Sequence, residues 1–423
     1  MRVLYLSPRV CWPLRSGAHL RDFYLARQVA SRAALTFVGL DTEELPAGQD
    51  IRRERLAELN DSEVVRVRRE AGYSRLNLFR GFVGPTPVSV LNFTTPVAMS
   101  VLEQLFRQQE FDAVQVESVH LIAYAELIRR IAPKVPMLCD WHNIESEIQD
   151  RYAEHYPGTL RSVYARRTAH LLRRVEREFL RLGDAHTVCS ERERDVLSAL
   201  EPNARVEVIE NGVDVAYFSE TMRLPGGPRH SLVYVGRMDY HANVDAVVSF
   251  AREVWPEVRR KRPEVQFVIV GARPKPEVLA LASQPGVTVT GTVEDLRPYY
   301  REALAAVVPL RVGGGTRLKI LEAMAAGTPV ISTPLGAEGL GVTPGQELVL
   351  ADTPATMAEA VAGLHEDSPE WRRLSENGKR LVLSRYDWPV IGEKLMGLYT
   401  KILGVSPQGP TGEMQASRAK GGF

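Results

Sequence analysis

The sequence has no surplus of charge of either sign. Its 53 Lys and Arg residues are balanced by 52 Asp and Glu residues, which gives a formal net charge of +1. A protein dedicated to nucleic-acid binding usually carries a clear basic excess. We therefore predict no nucleic-acid partner.

Cysteines and long apolar runs are also scarce. The three cysteines, Cys11, Cys139 and Cys189, form no CxxC pair, which argues against a disulfide framework and favours buried, reduced thiols in a cytoplasmic protein. The start MRVLYLSPRVCW has only four consecutive apolar residues, whereas a secretory signal needs about 7–15. No run approaches the roughly 20 apolar residues of a membrane span. We expect a cytoplasmic protein, and peripheral contact with the inner face of the membrane stays open.

Several motifs of familiar active sites are missing. The sequence contains no DxD and no His/Cys cluster, so we predict no metal and no cofactor. It lacks the nucleotide-binding patterns GxGxxG and GxxxxGK[ST], and it lacks the nucleophile motif GxSxG. Any catalysis would therefore rest on positioning and charge stabilisation rather than on a protein nucleophile.

What the sequence does contain is a regular alternation of short apolar runs and helical stretches. Apolar strands joined by helical crossovers indicate parallel sheets covered on both faces. The alternation restarts after the Pro- and Gly-rich segment MRLPGGPRH (222–230). We predict two doubly wound α/β domains, over 1–222 and 223–385, then a helical segment over 386–405 and a disordered tail over 406–423. The predicted strands are 2–7, 34–40, 64–67, 112–118, 136–142, 185–190 and 205–211 in the first half, and 232–238, 266–272, 287–292, 305–310, 329–333 and 347–351 in the second. The periodicity also predicts a helix from about Asn243 to Arg260 and two helices near the end of the chain, around 369–385 and 389–403.

One strand–loop–helix unit has the chemistry of an anion site. In VVPLRVGGGTRLKILEAMAAG, Gly313, Gly314 and Gly315 permit a close approach of a ligand to the backbone, and Thr316 suits the N-cap. Free amide groups would then face the ligand beside the positive end of the helix dipole. Arg317 and Lys319 add positive charge, and Glu322, one turn further on, offers a carboxylate to ribose hydroxyls. The competing interpretation is a plain connection with an exposed Lys–Glu pair.

The wider pattern resembles the retaining glycosyltransferases of family four, which have the GT-B fold. The resemblance runs from Met1 to about Leu403. Each motif alone is weak evidence for the family, whereas the order of all the motifs along the chain is specific for it. These motifs are SGAH (16–19), DWHNIE (140–145), VIENGVD (208–214), VYVGRM (233–238), TVTGTVEDLRPYYREA (288–303), GGGTRLKILEAMAAGTPVIST (313–333) and GAEGL (336–340). The resemblance implies two Rossmann-like domains that face a cleft, with a terminal helix that crosses back onto the first domain.

The resemblance also implies roles for individual residues. Arg237 and Lys319 are expected at the diphosphate, Glu322 at the ribose and His142 at the donor sugar, which makes these four the candidate catalytic residues. For each of these residues the alternative is a purely structural role, such as that of a surface arginine or of a structural histidine. Further candidates for donor binding are Gly17, Glu294, Gly313, Gly314, Gly315, Thr316, Arg317 and Gly336. Candidates on the acceptor side are Asp140, Asn143 and Glu145.

Two departures from the family pattern affect the donor site. Many members have a Lys five residues after the arginine, but here Ala242 occupies that position, so Arg317 and Lys319 are expected to share its task. The first of two paired glutamates is replaced by Gly314. The expected partners are a nucleotide sugar and a carbohydrate, lipid-linked or small-molecule acceptor. A GT-B epimerase or phosphorylase, or a non-catalytic nucleotide-sugar-binding protein, stays open as an alternative.

A basic and apolar stretch raises the question of membrane contact. RVRREAGYSRLNLFRGFVG (66–84) combines five arginines with several large apolar residues. Such a stretch can lie on an anionic bilayer. The simpler interpretation is a segment that packs on its own domain while its arginines stay solvated. The arginine-rich region 161–181 is predicted to be an amphipathic helix with a charged outer face.

Overall fold

The computed structural model describes residues 1–12, 14, 17–42, 50–70, 74–155, 157–219, 230–313 and 317–404 of the 423-residue chain. Each half of the chain forms a largely parallel sheet with helices on both faces, which confirms the predicted fold class. The predicted boundary segment 222–230 lies almost entirely outside the described residues, and the predicted tail lies wholly outside them. No described helix combines the length and the apolar character needed to cross a membrane.

The sheet of the first domain has the strand order β3-β4-β2-β1-β5-β6-β7-β8 among the described residues. Neighbouring strands are parallel except for β3 and β4, which are antiparallel. Strand β3 has the sequence IRRERL and lies largely exposed at the edge of the sheet, so it lacks the apolar pattern that predicts the other strands. The strands are β1 (Arg2–Ser7), β2 (Ala34–Asp41), β3 (Ile51–Leu56), β4 (Ser62–Arg68), β5 (Ala113–Glu117), β6 (Met137–Asp140), β7 (Ala185–Val188) and β8 (Val206–Val208).

The helices of the first domain start with clear local signals. Thr95 accepts a hydrogen bond from the backbone of Ala98, and Pro96 occupies the first turn, where no amide partner is needed. Thr159 caps the long helix α7 in the same way. The helices are α1 (Gly17–Ala30), α2 (Arg75–Val83), α3 (Val88–Phe93), α4 (Pro96–Gln108), α5 (Ile122–Ile131), α6 (Glu145–His155), α7 (Leu160–Leu182), α8 (Glu191–Leu200) and α9 (Val215–Ser219).

The second domain contains a fully parallel sheet with the order β11-β10-β9-β12-β13-β14 among the described residues. Its strands are β9 (Ser231–Val235), β10 (Gln266–Val270), β11 (Val287–Gly291), β12 (Ala303–Val308), β13 (Val330–Ser332) and β14 (Val349–Leu350). Its helices are α10 (His241–Ser249), α11 (Trp255–Lys261), α12 (Pro276–Leu279), α13 (Arg297–Arg301), α14 (Leu318–Ala325), α15 (Pro354–Gly363) and α16 (Pro369–Leu381).

Two predicted helices are less regular than expected. The helix predicted from about Asn243 to Arg260 is divided by a π-helical turn, Phe250–Val254, immediately before Trp255-Pro256. Proline has no N–H to donate, so the backbone widens where that hydrogen bond is missing. The helix predicted over 369–385 likewise ends at Leu381 and continues as a π-helical turn. The strand predicted over 205–211 is shorter, since only Val206–Val208 pairs with β7.

The last described helix, α17 (Trp388–Ile402), packs against the first domain rather than the second. Its buried residues Ile391, Leu395 and Leu398 join the same apolar cluster as Val3 and Phe37. The terminal helix therefore ties the end of the chain to the first sheet.

Two specific contacts fix the position of α17. The hydroxyl of Tyr399 donates to Oε1 of Gln115 at 2.6 Å in a buried position, and the ring of Trp388 stacks on Tyr24 at 4.9 Å. Both partners belong to the first domain. The contacts therefore join elements that lie more than two hundred residues apart in the chain.

Candidate active site

A cleft of about 650 Å³ separates the two domains on the carboxyl side of β9 and β12. Open α/β sheets bind their ligands at such edges. The first domain contributes Leu14, Gly17 and Leu20. The second domain contributes Val235, Gly236, Arg237, Asp239, Tyr240, Ala242, Asn243, Leu296, Leu310, Arg317, Leu318, Lys319 and Glu322. The cleft therefore brings together Gly17, Arg237, Arg317, Lys319 and Glu322 from the predicted site.

The ammonium group of Lys319 lies in the wall of the cleft. Its Nζ donates to the hydroxyl oxygen of Tyr234 at 2.8 Å and to Oδ1 of Asn243 at 2.9 Å. The same Nζ lies 4.0 Å from the centroid of the Tyr234 ring. Burial and the nearby charge of Arg317 lower the pKa of Lys319 to about 7, against the influence of Glu322. The ammonium thus lacks full charge compensation, which favours the binding of an anion.

Two arginines add positive charge to the same cleft. Arg317 immediately precedes α14, where it is only 8% exposed, and its burial lowers its pKa. Arg237 follows β9, is half-exposed and forms an ion pair of 2.7 Å with Asp239. The positive end of the α14 dipole lies beside Arg317 and has the same sign. These groups provide the charge that a diphosphate requires.

Glu322 presents its carboxylate from the second turn of α14. Its Oε2 accepts a hydrogen bond of 2.8 Å from the hydroxyl of Tyr300, and burial raises the pKa of the carboxyl group. Lys319 lies three residues earlier on the same helix, so both side chains face the cleft. The Lys319 ammonium, which can bind a phosphate, and the Glu322 carboxylate, which can accept hydrogen bonds from hydroxyl groups, therefore lie side by side.

The glycine loop is described only at its first residue. Gly313 has a φ of +109°, and a Cβ at this position would approach the Cβ of Ala242 to 3.2 Å. The positive φ strongly favours glycine, and the close approach to Ala242 leaves little room for a side chain. Gly314, Gly315 and Thr316 lie outside the described residues, as does Ser16. The anion site predicted from the backbone amide groups of this loop, and the helix N-cap predicted at Thr316, therefore remain predictions.

The structure places two predicted donor-binding residues away from the lining of the cleft. Glu294 is exposed on the segment before α13 and is not among the described residues that line the cavity. Gly336 is buried in a tight turn after β13, where a Cβ would lie 2.4 Å from the hydroxyl oxygen of Ser332. Packing accounts for that glycine. Gly17, in contrast, starts α1 at the cleft, and a Cβ there would lie 3.3 Å from Cδ1 of Leu318 in the other domain.

His142 lies in a buried network of charges at the carboxyl end of the first sheet. Its Nε2 is 2.6 Å from Oδ1 of Asp22 and 3.3 Å from Oε2 of Glu117. The other oxygen of Asp22 accepts hydrogen bonds from Ser7 and from Arg9. Although burial disfavours the charged ring, the two carboxylates raise the pKa of His142, which favours the imidazolium. His142 is not among the described residues that line the cleft.

The ligand atoms of Asp22, Glu117 and His142 lie within 4.8 Å of one another, a set whose chemistry also suits a metal ion. Two nitrogen or oxygen ligands on one tetrahedral zinc ion lie about 3.3 Å apart, because each bond is about 2.0–2.1 Å long. The separation of 2.6 Å between Asp22 and His142 is shorter and fits an ion pair that shares a proton. We interpret the cluster as a balanced network of charges.

The predicted acceptor-side residues have three different environments. Asp140 is fully buried and forms a two-point contact with Arg21, so its carboxylate is used within the fold. Asn143 is exposed. Glu145 starts α6, where burial and the neighbouring Glu176 raise its pKa to about 7. Of these three, Asn143 is exposed and Glu145 is partly buried.

Comparison with known proteins identifies the family. Residues 54–217 match the family described as Glycosyltransferase Family 4, and residues 229–367 match the family described as Glycosyl transferases group 1. Together the two matches cover most of the chain, one in each domain. This chain belongs to the family-four glycosyltransferases.

This family-four protein is similar in sequence to curated proteins and similar in fold to solved structures. The chain is 30% identical over 208 residues to a phosphatidyl-myo-inositol mannosyltransferase of Mycobacterium tuberculosis, which covers 46% of this chain and 54% of that relative. The match thus spans about half of the curated relative. A solved sucrose-phosphate synthase from Thermosynechococcus elongatus has a TM-score of 0.68 at 18% identity, over 96% of this chain and 100% of that one. HepE from Anabaena, solved in complex with UDP and glucose, has a TM-score of 0.63 at 14% identity, over 95% and 100% of the two chains.

Some residues that support the side chains of the cleft carry no sequence signal of their own. Tyr234 and Tyr300 look like core residues, yet their hydroxyls hold Lys319 and Glu322. Asn243 could have been noticed because it directly follows the position where family members often have a Lys. Its side chain binds the ammonium of Lys319.

Proposed function

We propose that this family-four protein transfers a sugar from a nucleoside-diphosphate donor to a hydroxyl group of an acceptor. The observation that carries the proposal is the position of Lys319 and Glu322 on successive turns of α14, both facing the cleft between the domains. The leaving diphosphate gains negative charge in the transition state, and positioned cations stabilise that charge. Arg237 and Arg317 contribute to the same effect.

The donor is proposed to lie along the second domain. Its diphosphate would contact Lys319 and Arg317, and its ribose hydroxyls would donate to Glu322. HepE, which has a similar fold, was solved in complex with UDP and glucose, and this supports a nucleoside-diphosphate sugar as the donor class. We propose retention of the anomeric configuration and no metal requirement, because arginine and lysine supply the charge that a metal would otherwise supply.

A panel of nucleotide sugars tests the proposal. A donor that raises the melting temperature should do so less in Glu322→Gln, and turnover should fall at least tenfold. Glu359→Gln, an exposed change on α15, serves as the matched control and should behave like wild type. Incubation of the donor without an acceptor separates a transferase from an epimerase. Unchanged donor affinity and turnover in Glu322→Gln would contradict the site assignment.

We also propose that the acceptor is reached at a membrane surface, which the exposed face of α2 favours. Phe79 is 65% exposed and Phe82 is 61% exposed, so the α2 segment does not bury its apolar residues against its own domain. Leu160 and Val163 at the start of α7 are 89% and 65% exposed. Residues 71–102 and 155–175 contain no Asp or Glu. An anionic bilayer matches an apolar face surrounded by arginines.

The two exposed segments form one surface. The ring of Phe82 stacks on that of Tyr164 at 5.9 Å, and the guanidinium of Arg167 donates to the carbonyl oxygens of Gly81 and Gly84. These contacts hold α2 against α7. The apolar side chains therefore project from a fixed platform.

Vesicle flotation tests this surface. Wild-type protein should float with vesicles that contain anionic lipid and much less with neutral vesicles. Replacing both Leu76 and Phe79 with Ser should abolish flotation, whereas Leu279→Ser, an exposed leucine of the second domain, should not. Equal flotation of both variants, or none for wild type, would end the membrane proposal and leave the sugar-transfer proposal intact.

A further inference from the structure

A second cavity, of about 200 Å³, lies in the first domain at the carboxyl ends of three strands. Its lining comes from the segment after β1, from the end of β2 and from β4 with the residues after it. This volume equals that of about seven water molecules in the liquid. The donor cleft is lined by Leu14, before α1, and by Gly17 and Leu20 of α1, whereas this cavity is lined by Trp12, before α1, and by His19 of α1. The two cavities are therefore neighbours.

The lining of this cavity is strongly basic. Arg9, Arg66 and Arg69 contribute three guanidinium groups, and Asp41 is the one carboxylate among the described lining residues. Arg66 forms an ion pair of 2.8 Å with Asp41, but its Nε is buried and makes no hydrogen bond within the described part of the chain. A buried donor without an acceptor is costly unless a ligand supplies one.

The arginines are held in place from outside the cavity. The guanidinium of Arg69 lies 4.3 Å from the centroid of the Phe93 ring, a cation–π contact with α3. Arg9 forms an ion pair of 2.8 Å with Asp22, which in turn contacts His142. Positioned guanidinium groups bind phosphate or carboxylate oxygens more specifically than mobile lysines do.

An aromatic ring completes the cavity. Trp12 is half-buried and packs at 5.7 Å against Phe37 in a tilted arrangement. A fixed indole beside arginines offers an apolar surface to one part of a ligand and positive charge to another. This combination suits a sugar that carries an anionic group better than a neutral sugar.

We infer that this cavity, defined by Arg9, Trp12, Asp41, Arg66 and Arg69, binds a phosphate-like anionic group of the acceptor. The inference rests on the proposed function and specifies that its acceptor carries a phosphate-like group. The anionic group would anchor the acceptor, and the acceptor hydroxyl would extend past the β1–α1 segment toward the donor. A soluble sugar phosphate and a lipid headgroup both present such a group, and the experiment below distinguishes these two sources.

Binding of small phosphates tests the inference. The protein is first saturated with a nucleoside diphosphate, which blocks the donor cleft, and is then titrated calorimetrically with inorganic phosphate, a hexose phosphate or the neutral hexose. We expect the hexose phosphate to bind at least tenfold more tightly than the neutral hexose. Arg69→Gln should weaken that binding about tenfold or more. Arg68→Gln, an exposed neighbour on β4, should bind like wild type.

Further variants make the result decisive. If Arg69→Gln fails to fold, Arg66→Lys keeps a positive charge near Asp41 but loses the Nε donor, and should weaken hexose phosphate binding severalfold. Equal affinity for phosphorylated and neutral hexose, or equal affinities of Arg69→Gln and Arg68→Gln, would overturn the inference. Failure of the nucleoside diphosphate to bind at all would instead contradict the proposed function.

The same variants identify the source of the phosphate. Vesicles of phosphatidylcholine with phosphatidic acid present the group on a lipid, and soluble hexose phosphate presents it on a sugar. Loss of vesicle binding in Arg69→Gln, with the Leu76 and Phe79 surface intact, would assign the cavity to a lipid headgroup. Loss of hexose phosphate binding alone would assign it to a soluble acceptor.

Discussion

Lys319 makes donor binding sensitive to pH at the scale of a single residue. Its pKa is lowered to about 7, so the ammonium is charged below that pH and loses its charge as the pH rises through it. Titration of a nucleotide sugar between pH 6 and pH 8.5 should show affinity falling about tenfold. Lys319→Arg keeps the charge throughout this range and should remove most of the dependence. A flat profile in the wild-type protein would contradict the role of Lys319 as the phosphate cation.

The hydroxyl of Tyr300 is predicted to hold Glu322 in its binding position. Tyr300→Phe removes the hydrogen bond of 2.8 Å to Glu322 and leaves the ring in place. Hydrogen bonds to charged groups contribute about 1.5–3 kcal/mol, so nucleotide-sugar affinity should fall by about tenfold or more. Isothermal titration measures the change, with Tyr299→Phe as the neighbouring control. Identical affinities of the two variants would show that Glu322 does not need this support.

The sequence predicts single functional residues only where they lie in a recognisable motif. Glu322, Lys319 and Arg237 follow from the ordered motifs, and all three line one cleft. The pairing of His142 with Asp22 and Glu117 did not follow, because these residues lie on three separate elements whose meeting depends on the tertiary fold. The sequence position of a buried carboxylate does not predict which residue it pairs with in the folded protein.

Among the elements, α17 is expected to contribute stability to the first domain. Leu395 is fully buried against that domain, so Leu395→Ala should cost about 2–5 kcal/mol of unfolding free energy. Lys401→Ala, an exposed change near the end of the same helix, should cost less than about 0.5 kcal/mol. Chemical denaturation followed by tryptophan fluorescence compares them. A small effect of Leu395→Ala would indicate that α17 docks only loosely.

The elements also show what a hydrophobic pattern can and cannot predict. The buried strands were predicted because their apolar residues are continuous, as in RVLYLS and ALAAVV. Strand β3 was not predicted, because at an edge its stability comes from backbone pairing with β4 and from ion pairs such as Arg53 with Glu63. The interruption before Pro256 was missed because helical periodicity continues across it.

At the scale of the whole molecule, the approach of the domains at Gly17 suggests that closure assembles the site. A Cβ at Gly17 would already lie 3.3 Å from Leu318 of the other domain. Gly17→Val should therefore hold the cleft open and lower kcat at least tenfold while changing donor affinity little. Gly17→Ala should have a smaller effect in the same direction. Parallel loss of donor affinity and kcat would point instead to a direct role of Gly17 in donor binding.

The central claim is that one cleft between the domains binds a nucleotide sugar by its diphosphate and its ribose. A crystal structure of the protein with a nucleotide sugar found in the panel tests this most directly. We predict diphosphate density within hydrogen-bond distance of Lys319 and Arg317, and ribose hydroxyls on the carboxylate of Glu322. Nucleotide density at any other place, with α14 unoccupied, would contradict the account.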